Sequence, residues 1–386
     1  MTASIIDINY KLMVQSQNSI PAFDIKQQYA SIAAEVSTAV LEVLTSGRYI
    51  GGPVVESFEQ QFAAYNGVNE CVVCNSGTDA LYLALRAFNI GADDEVITTP
   101  FTFIATSEVI NAVGAKPVFV DIDATTFNLD LEQLAAAITP KTKAIIPVHL
   151  FGQPVDMTAL MSIANTHNLI VIEDCAQSTG ATWNSQRVGS IGHIGCFSFY
   201  PTKNLGGCGD GGAITTNNPE IAAKLRVLKE HGQKNRYIHE EIGVNSRLDA
   251  IQAAILQIKL RYLDIWNQKR QAIASRYQQF LNQAPGIIPP QELNGGKGVW
   301  NQYTIRVLNN KRDWVRNQLQ ERGVNTMIYY PRPLHLQPVY ESLNYQPGQL
   351  PVSEQASQEV LSLPMFPELS EEQQDQVIYS LKDCLG

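Results

Sequence analysis

The chain is expected to fold as an α/β protein: a mostly parallel sheet covered by helices on both faces, with a second, smaller C-terminal α/β domain. Three observations lead there. From about residue 68, short apolar runs rich in β-branched residues alternate with helical patterns. Those runs are apolar almost throughout rather than at every second position, as in strands buried on both faces. The chain has 386 residues, more than one small core organises, so two domains are the natural expectation.

Taken in order, Val72-Val73-Cys74 reads as the first strand and Thr78–Phe88 as the helix after it. Glu95–Thr98 is a strand, Ile104–Val113 a helix and Pro117–Val120 a strand. Leu131–Ile138 is helical, Ala144–Val148 a strand, Met157–Asn165 a helix and Leu169–Ile172 a strand. The rhythm then changes, because Cys196–Phe199 and Gly212–Thr215 read as strands with no helix between them. Leu248, Ile251, Ile255, Ile258 and Tyr262 mark the apolar stripe of a long helix that runs to Leu281. Ala284–Pro290 reads as a loop, Tyr303–Val307 as a strand, Trp314–Arg322 as a helix and Pro331–Pro338 as a proline-rich stretch. Residues 1–20 are weakly patterned and expected to form an arm. A large domain over 21–265 and a small one over 266–386 would meet in or after the long helix.

Composition narrows the function. Lys and Arg number 28 against 37 Asp and Glu, a net charge of -9, and no basic run occurs. Nucleic-acid binding is disfavoured, since it needs clustered positive charge. No apolar run approaches the roughly 18 residues of a membrane span, and the first residues lack the basic and apolar regions of a secretory signal. Hydrophobic residues at 45% are enough for a sizeable interior. The six cysteines are too sparse for a disulfide framework, and a cytoplasmic location with reduced thiols is expected. Cys71-x-x-Cys74 lies in an expected strand, where positions three apart face opposite sides. These two read as buried structural thiols, and no metal site is expected.

Three segments carry the chemistry. In Asn75-Ser76-Gly77-Thr78-Asp79, Gly77 permits close backbone approach and the N–H groups of the first helical turn, including Thr78, point at any bound anion. A capping serine before an ordinary helix would look the same. Asp174 follows the apolar strand Leu169–Ile172, where ligands of open α/β sheets bind, with Gln177 three residues on. Ser198 ends a short strand, and Lys203 follows across the turn stiffened by Pro201. A lysine and a strand-end acid suit pyridoxal phosphate (PLP). The amine captures the cofactor aldehyde, and the carboxylate holds a proton on the pyridine nitrogen. The glycines after Lys203 are neither a dinucleotide fingerprint nor a P-loop, because no helix follows them and the Gly-Lys-Ser/Thr order is absent.

Together these segments resemble the DegT/DnrJ/EryC1/StrS sugar aminotransferases, a branch of fold-type I PLP enzymes. Thr99–Phe103, Pro147–Gln153, Gly243–Asp249 and Pro333–Pro338 match as well, and the likeness covers roughly residues 20–380. It implies a large domain with a seven-stranded, mostly parallel sheet and a small C-terminal α/β domain. By position, it makes Lys203 the cofactor-linked amine and proton shuttle. Asp174 becomes the partner of the ring nitrogen with Gln177 beside it, and Gly77, Thr78 and Ser198 the phosphate site. Phe103 becomes the aromatic ring stacked on the cofactor. Asn245 matches a residue given to the phosphate site by a neighbouring subunit, which implies a homodimer with shared active sites. The usual donor is L-glutamate, and the acceptor a keto nucleotide sugar.

Within that family, His231-Gly232-Gln233 and Gly243–Leu248 look most like enzymes that aminate 3-keto nucleotide sugars, with those acting on UDP-2-acetamido-3-keto-glucuronate nearest in look. Such a substrate would be UDP- or dTDP-linked and its product an amino sugar for surface polysaccharide or glycoside biosynthesis. Arg247 would pair with a sugar carboxylate, and Tyr329, Tyr330 and His335 would line the substrate pocket. Tyr329 stands where that subgroup often has histidine, which leaves a 3-keto-6-deoxy sugar or a 4-keto sugar open. A sugar dehydratase on the same scaffold would carry histidine in place of Lys203, and a catalytically silent regulatory protein would not need Asp174, Gln177, Ser198 and Lys203 together.

Overall fold

The computed structural model describes residues 19–282 and 284–385. Most of the arm expected over 1–20 lies outside that range. Ile20 lies inside it, buried and bridged to Val324.

The central sheet has seven strands. In chain order they are β1 (Glu70–Cys74), β2 (Glu95–Thr98), β3 (Lys116–Phe119), β4 (Thr142–Ile145), β5 (Ile170–Asp174), β6 (Ile194–Ser198) and β7 (Gly212–Thr216). Their spatial order is β1-β7-β6-β5-β4-β2-β3. Every pair from β3 to β6 is parallel, and β7 runs antiparallel to both its neighbours. β7 is the strand that follows β6 without a helix, so it has no crossover to turn it parallel. The strand expected at 144–148 instead spans Thr142–Ile145; beyond it Val148 still bridges to Asp174.

Strand alternation sorts side chains to two faces. Val72 and Cys74 join one core with Leu81, Leu83 and Leu85 of α3 (Gly77–Ala87), Val109 and Ile110 of α4 (Ala105–Ala112) and Leu225 of α7 (Pro219–Lys229). Cys71 and Val73 join another, with Phe58 and Phe62 of α2 (Pro53–Asn66), Phe197, Phe199, and Ala253 and Leu256 of α8 (Ala250–Leu281). The two cysteines thus face opposite cores, both buried and free, and burial pushes the Cys74 thiol up to about 12. Leu134 of α5 (Leu131–Ala137) and Leu160 of α6 (Met157–Thr166) pack on Ile97, Ile145 and Val171.

The second half of α8 enters the C-terminal core. Ile273, Tyr277 and Leu281 pack there with β9 (Tyr303–Val307), β10 (Val360–Leu363), α9 (Arg312–Glu321) and α11 (Glu371–Leu385). Position 265, the expected boundary, falls within α8. Ile287–Ile288, expected as loop, is a short strand (β8) paired to Val307 and Arg306 of β9, because Ile287 joins this core. Helices α1 (Ile25–Ser46), α2, α7, α10 (Pro351–Glu359) and α11 were not expected from the apolar pattern. Two of them, α1 and α7, are signalled by caps instead. Asp24 accepts from Lys26 and Gln27 N–H and Gly47 closes α1; Asn218 accepts from Glu220 and Ile221 N–H before Pro219 of α7. Among the described residues no helix is long and apolar enough to cross a membrane.

Candidate active site

The carboxyl ends of β1, β5 and β6 open on one cavity of about 590 Å3, where an open α/β sheet binds its ligands. Of the residues singled out in the sequence, Gly77, Thr78, Phe103, Asp174, Gln177, Ser198, Lys203, Tyr329 and Tyr330 all line it. Sequence reasoning missed Thr106, Tyr200, Thr202, Asp210 and Gln302 in the same wall. Thr106 and Gln302 stand outside the motifs; Tyr200, Thr202 and Asp210 flank Lys203, so proximity in sequence was their signal.

α3 begins at the cavity because Ser76 caps it: its Oγ accepts from Asp79 N–H at 3.1 Å. The N–H groups of the first turn have no carbonyl behind them. Helix and strand meet so closely here that a methyl group on residue 77 would stand 2.7 Å from Ser198 Cβ. Glycine at 77 is therefore required by the approach of α3 to the end of β6. The acidic side chain in this turn is occupied elsewhere, since Asp79 Oδ2 accepts from Ser246 Oγ at 2.6 Å. Ser246 Oγ in turn accepts from Asn75 N–H at 3.1 Å, which ties the 243–248 segment to the mouth of α3.

Asp174, the last residue of β5, is buried. Its Oδ2 accepts from Thr106 Oγ1 at 2.8 Å and its Oδ1 from Ala176 N–H at 3.1 Å. Burial pushes its carboxyl up, while the Ala176 N–H, the Thr106 hydroxyl and the charge of Lys203 pull it back. Gln177 does not orient this acid. Its Oε1 accepts from Phe151 N–H at 2.6 Å and its Nε2 donates to Tyr330 OH at 3.2 Å, leaving one amide proton for the cavity.

Lys203 sits in a turn closed by its own N–H donating to Tyr200 O at 2.9 Å. Burial of the amine lowers its pKa to about 8, against the pull of Asp174. Aromatic rings line the cavity as well. Phe103 is 57% exposed, large for a phenylalanine and open to a flat partner; its ring lies 6.5 Å from that of Tyr330.

Three expected residues do not line this cavity. Asn245 is exposed and bridges to Glu230. Arg247 Nη1 donates at 3.1 Å to Glu230, a carboxylate of the same chain, and the rest of its guanidinium makes no bond to the cavity of its own chain. His335 is buried against Glu354, with Nε2 at 3.1 Å from Oε1, and burial holds its imidazole below the usual range. His149 likewise serves the scaffold. Its Nδ1 accepts from Val155 N–H and its Nε2 lies 3.0 Å from Glu173, whose oxygens also accept from Gly189, Ile191 and Gly192 N–H.

Comparison with known proteins meets this geometry. The model of the DegT/DnrJ/EryC1/StrS aminotransferase family matches residues 30–382. A pleiotropic regulatory protein of Geobacillus stearothermophilus is 50% identical over 95% of this chain and 98% of its own length. The dTDP-3-amino-3,4,6-trideoxy-alpha-D-glucose transaminase of Streptomyces venezuelae is 44% identical, over 94% of this chain and 96% of its own. The UDP-2-acetamido-2-deoxy-3-oxo-D-glucuronate aminotransferase of Pseudomonas aeruginosa is also 44% identical, over 91% and 96%. Among solved structures, S. venezuelae DesV superposes with a TM-score of 0.92 at 44% identity, covering 95% of this chain and 98% of that one. NtdA of Bacillus subtilis, with bound cofactor PMP, gives 0.86 at 35% identity, covering 92% and 82%.

Proposed function

This chain belongs to the DegT/DnrJ/EryC1/StrS aminotransferase family, and on that premise we propose that it moves an amino group from L-glutamate to the 3-keto carbon of a UDP- or dTDP-linked sugar. PLP would be the cofactor, and the enzyme a cytoplasmic homodimer with shared active sites. The product would serve surface polysaccharide or glycoside biosynthesis. The observation that carries this reading is one cavity holding a buried strand-end acid, a low-pKa lysine and an open helix N-terminus. Two relatives at 44% identity, named for 3-amino and 3-oxo sugars, support position 3.

The donor set fits PLP. A carboxylate meets a ring nitrogen, an amine meets an aldehyde, and the α3 N-terminus with Ser198 meets a phosphate. The close approach that excludes a side chain at 77 brings those last two together. Gly77, Thr78 and Ser198 would hold the phosphate, Phe103 the ring face, and Gln177 would offer its remaining amide proton. Asn245, off its own cavity, would reach that of a second subunit, and Arg247 would go with it. Bound PLP supplies an electrophilic carbon and a ring that accepts electrons.

Asp174 would hold the ring proton, its charge maintained by Thr106 and Ala176 N–H. Lys203 Nζ, partly neutral near pH 7 because of its lowered pKa, would take the proton from the glutamate α-carbon. It would later deliver one to the sugar carbon. Tyr329, Tyr330 and Gln302 would bound the substrate and exclude water.

The visible spectrum of purified protein with and without glutamate tests the chemistry, with bleaching expected. Incorporation of nitrogen-15 from glutamate, screened over 3-keto and 4-keto nucleotide sugars, tests the position. Label at C4 alone would support the 4-keto alternative. The regulatory name of the 50% identical relative favours a second reading, a silent regulator. A spectrum that glutamate leaves unchanged would select it.

A further inference from the structure

Beside the Lys203 turn, outside the lining of the cavity, three buried asparagines form a connected set. Asn204 Nδ2 donates to Asn267 Oδ1 at 2.7 Å and to Val299 O at 3.0 Å. Asn204 Oδ1 accepts from Asn301 Nδ2 at 2.9 Å, and the same Nδ2 reaches Thr202 O at 3.3 Å. Asn267 Nδ2 donates to Thr179 O at 3.1 Å.

Each end of this set is anchored to something that matters. Thr202 and Asn204 flank Lys203 in the chain. Thr179 belongs to the loop that leaves β5 through Asp174 and Gln177. Asn267 stands on α8, and Asn301 precedes the cavity residue Gln302. Asn301 Oδ1 has no hydrogen-bond partner among the described residues, but the amide groups that do pair resist displacement, because moving them leaves further polar groups unpaired in a low dielectric.

We propose that Asn204, Asn267 and Asn301 are positioning residues, an amide spacer that fixes the lysine turn against the Asp174 loop and so sets how far apart the acid and the amine stand. The two groups must address opposite ends of one small ring, and a misplacement of about 1 Å is enough to cost a hundredfold in rate. The spacer also limits the room for water beside the turn, where Asn301 and Thr202 border a cavity of only about 30 Å3. That limit matters for Lys203, since burial is the main cause of its lowered pKa. The other titratable groups that line the cavity with it are Asp174, Asp210, Tyr200, Tyr329 and Tyr330.

This inference rests on the roles proposed for Lys203 and Asp174, and the experiment separates the two. Asn301→Ala removes two hydrogen bonds and leaves the Asn204–Asn267 bond; Asn204→Ala removes the hub. For folded variants, the pH dependence of amine labelling at Lys203 is followed in apoprotein by peptide mass spectrometry. The pH titration of the visible band is recorded in holoenzyme.

The labelling midpoint is expected to rise above the parent's by about half a unit or more, as water reaches the amine. Turnover is expected to fall roughly tenfold or more with the sugar KM within about twofold. A midpoint unmoved or lowered in Asn301→Ala, with parental turnover, overturns the proposal. If Asn204→Ala fails to fold, Asn301→Ala alone decides. Lys203→Ala is the control for the underlying reading. If it keeps the visible band, the lysine assignment itself is wrong; if it loses the band while Asn301→Ala behaves as the parent, only the spacer is wrong.

Discussion

Thr106 Oγ1 donates to Asp174 Oδ2 at 2.8 Å, from the first turn of α4 to the last residue of β5. This hydroxyl favours the charged form of an acid that burial pushes toward neutrality. Thr106→Val keeps the shape and deletes the donor. Its Asp174 carboxyl should titrate higher, and PLP should bind roughly tenfold more weakly, in line with one lost hydrogen bond to a charged group. Fluorescence titration of apoprotein measures this; unchanged affinity would separate Asp174 from cofactor binding.

Lys203→Ala should abolish transamination and the visible absorbance of the reconstituted protein. Borohydride treatment followed by peptide mapping should place the cofactor on Lys203 in the parent and nowhere in the variant.

The lowered pKa of Lys203 has a consequence for apoprotein stability. The unfolded lysine keeps its proton up to about 10.5, whereas the folded one releases it near about 8. Between those values the unfolded state holds more protons, so stability climbs as pH rises through the window, and below it Lys203 is a net cost. Lys203→Met should therefore be more stable than the parent at pH 7, with the advantage shrinking from pH 8 upward. Urea unfolding at a series of pH values reads it. An advantage that does not vary with pH would contradict the assignment.

Gly77→Ala places a methyl group against Ser198 Cβ. Overpacking at this junction is expected to destabilise the apoprotein by about 1–3 kcal/mol and to weaken phosphate-dependent cofactor binding. Denaturant unfolding and titration with pyridoxal against PLP would show both effects.

Asn245 belongs to the segment tied to α3 through Ser246, yet it does not line the cavity of its own chain. Mixing Lys203→Ala with Asn245→Asp protomers under exchange should restore about a quarter of parental activity, one intact site in each hybrid of a randomly mixed dimer. No gain over the unmixed proteins would argue against shared sites.

Much of this was readable in the chain. The strand–helix alternation from residue 68 and the positions of Gly77, Asp174, Ser198 and Lys203 at or just beyond strand ends follow from local pattern. A short apolar run has one way to be buried, and a motif after it lands at the sheet's carboxyl edge. Arg247 and His335 could not be placed that way. Within their own chain they meet Glu230 and Glu354, acidic partners with no sequence signal of their own.

By itself, then, the sequence determined the parallel sheet, the order of the chemical motifs and the family resemblance, since each depends on residues a few positions apart. Only the tertiary structure decided which side chains share the cavity and what stands beside the lysine turn. Asn204 meets Asn267 across 63 positions and Asn301 across 97. A hydrogen bond between residues so distant depends on how α8 and β9 pack, and packing is a property of the whole core rather than of any segment.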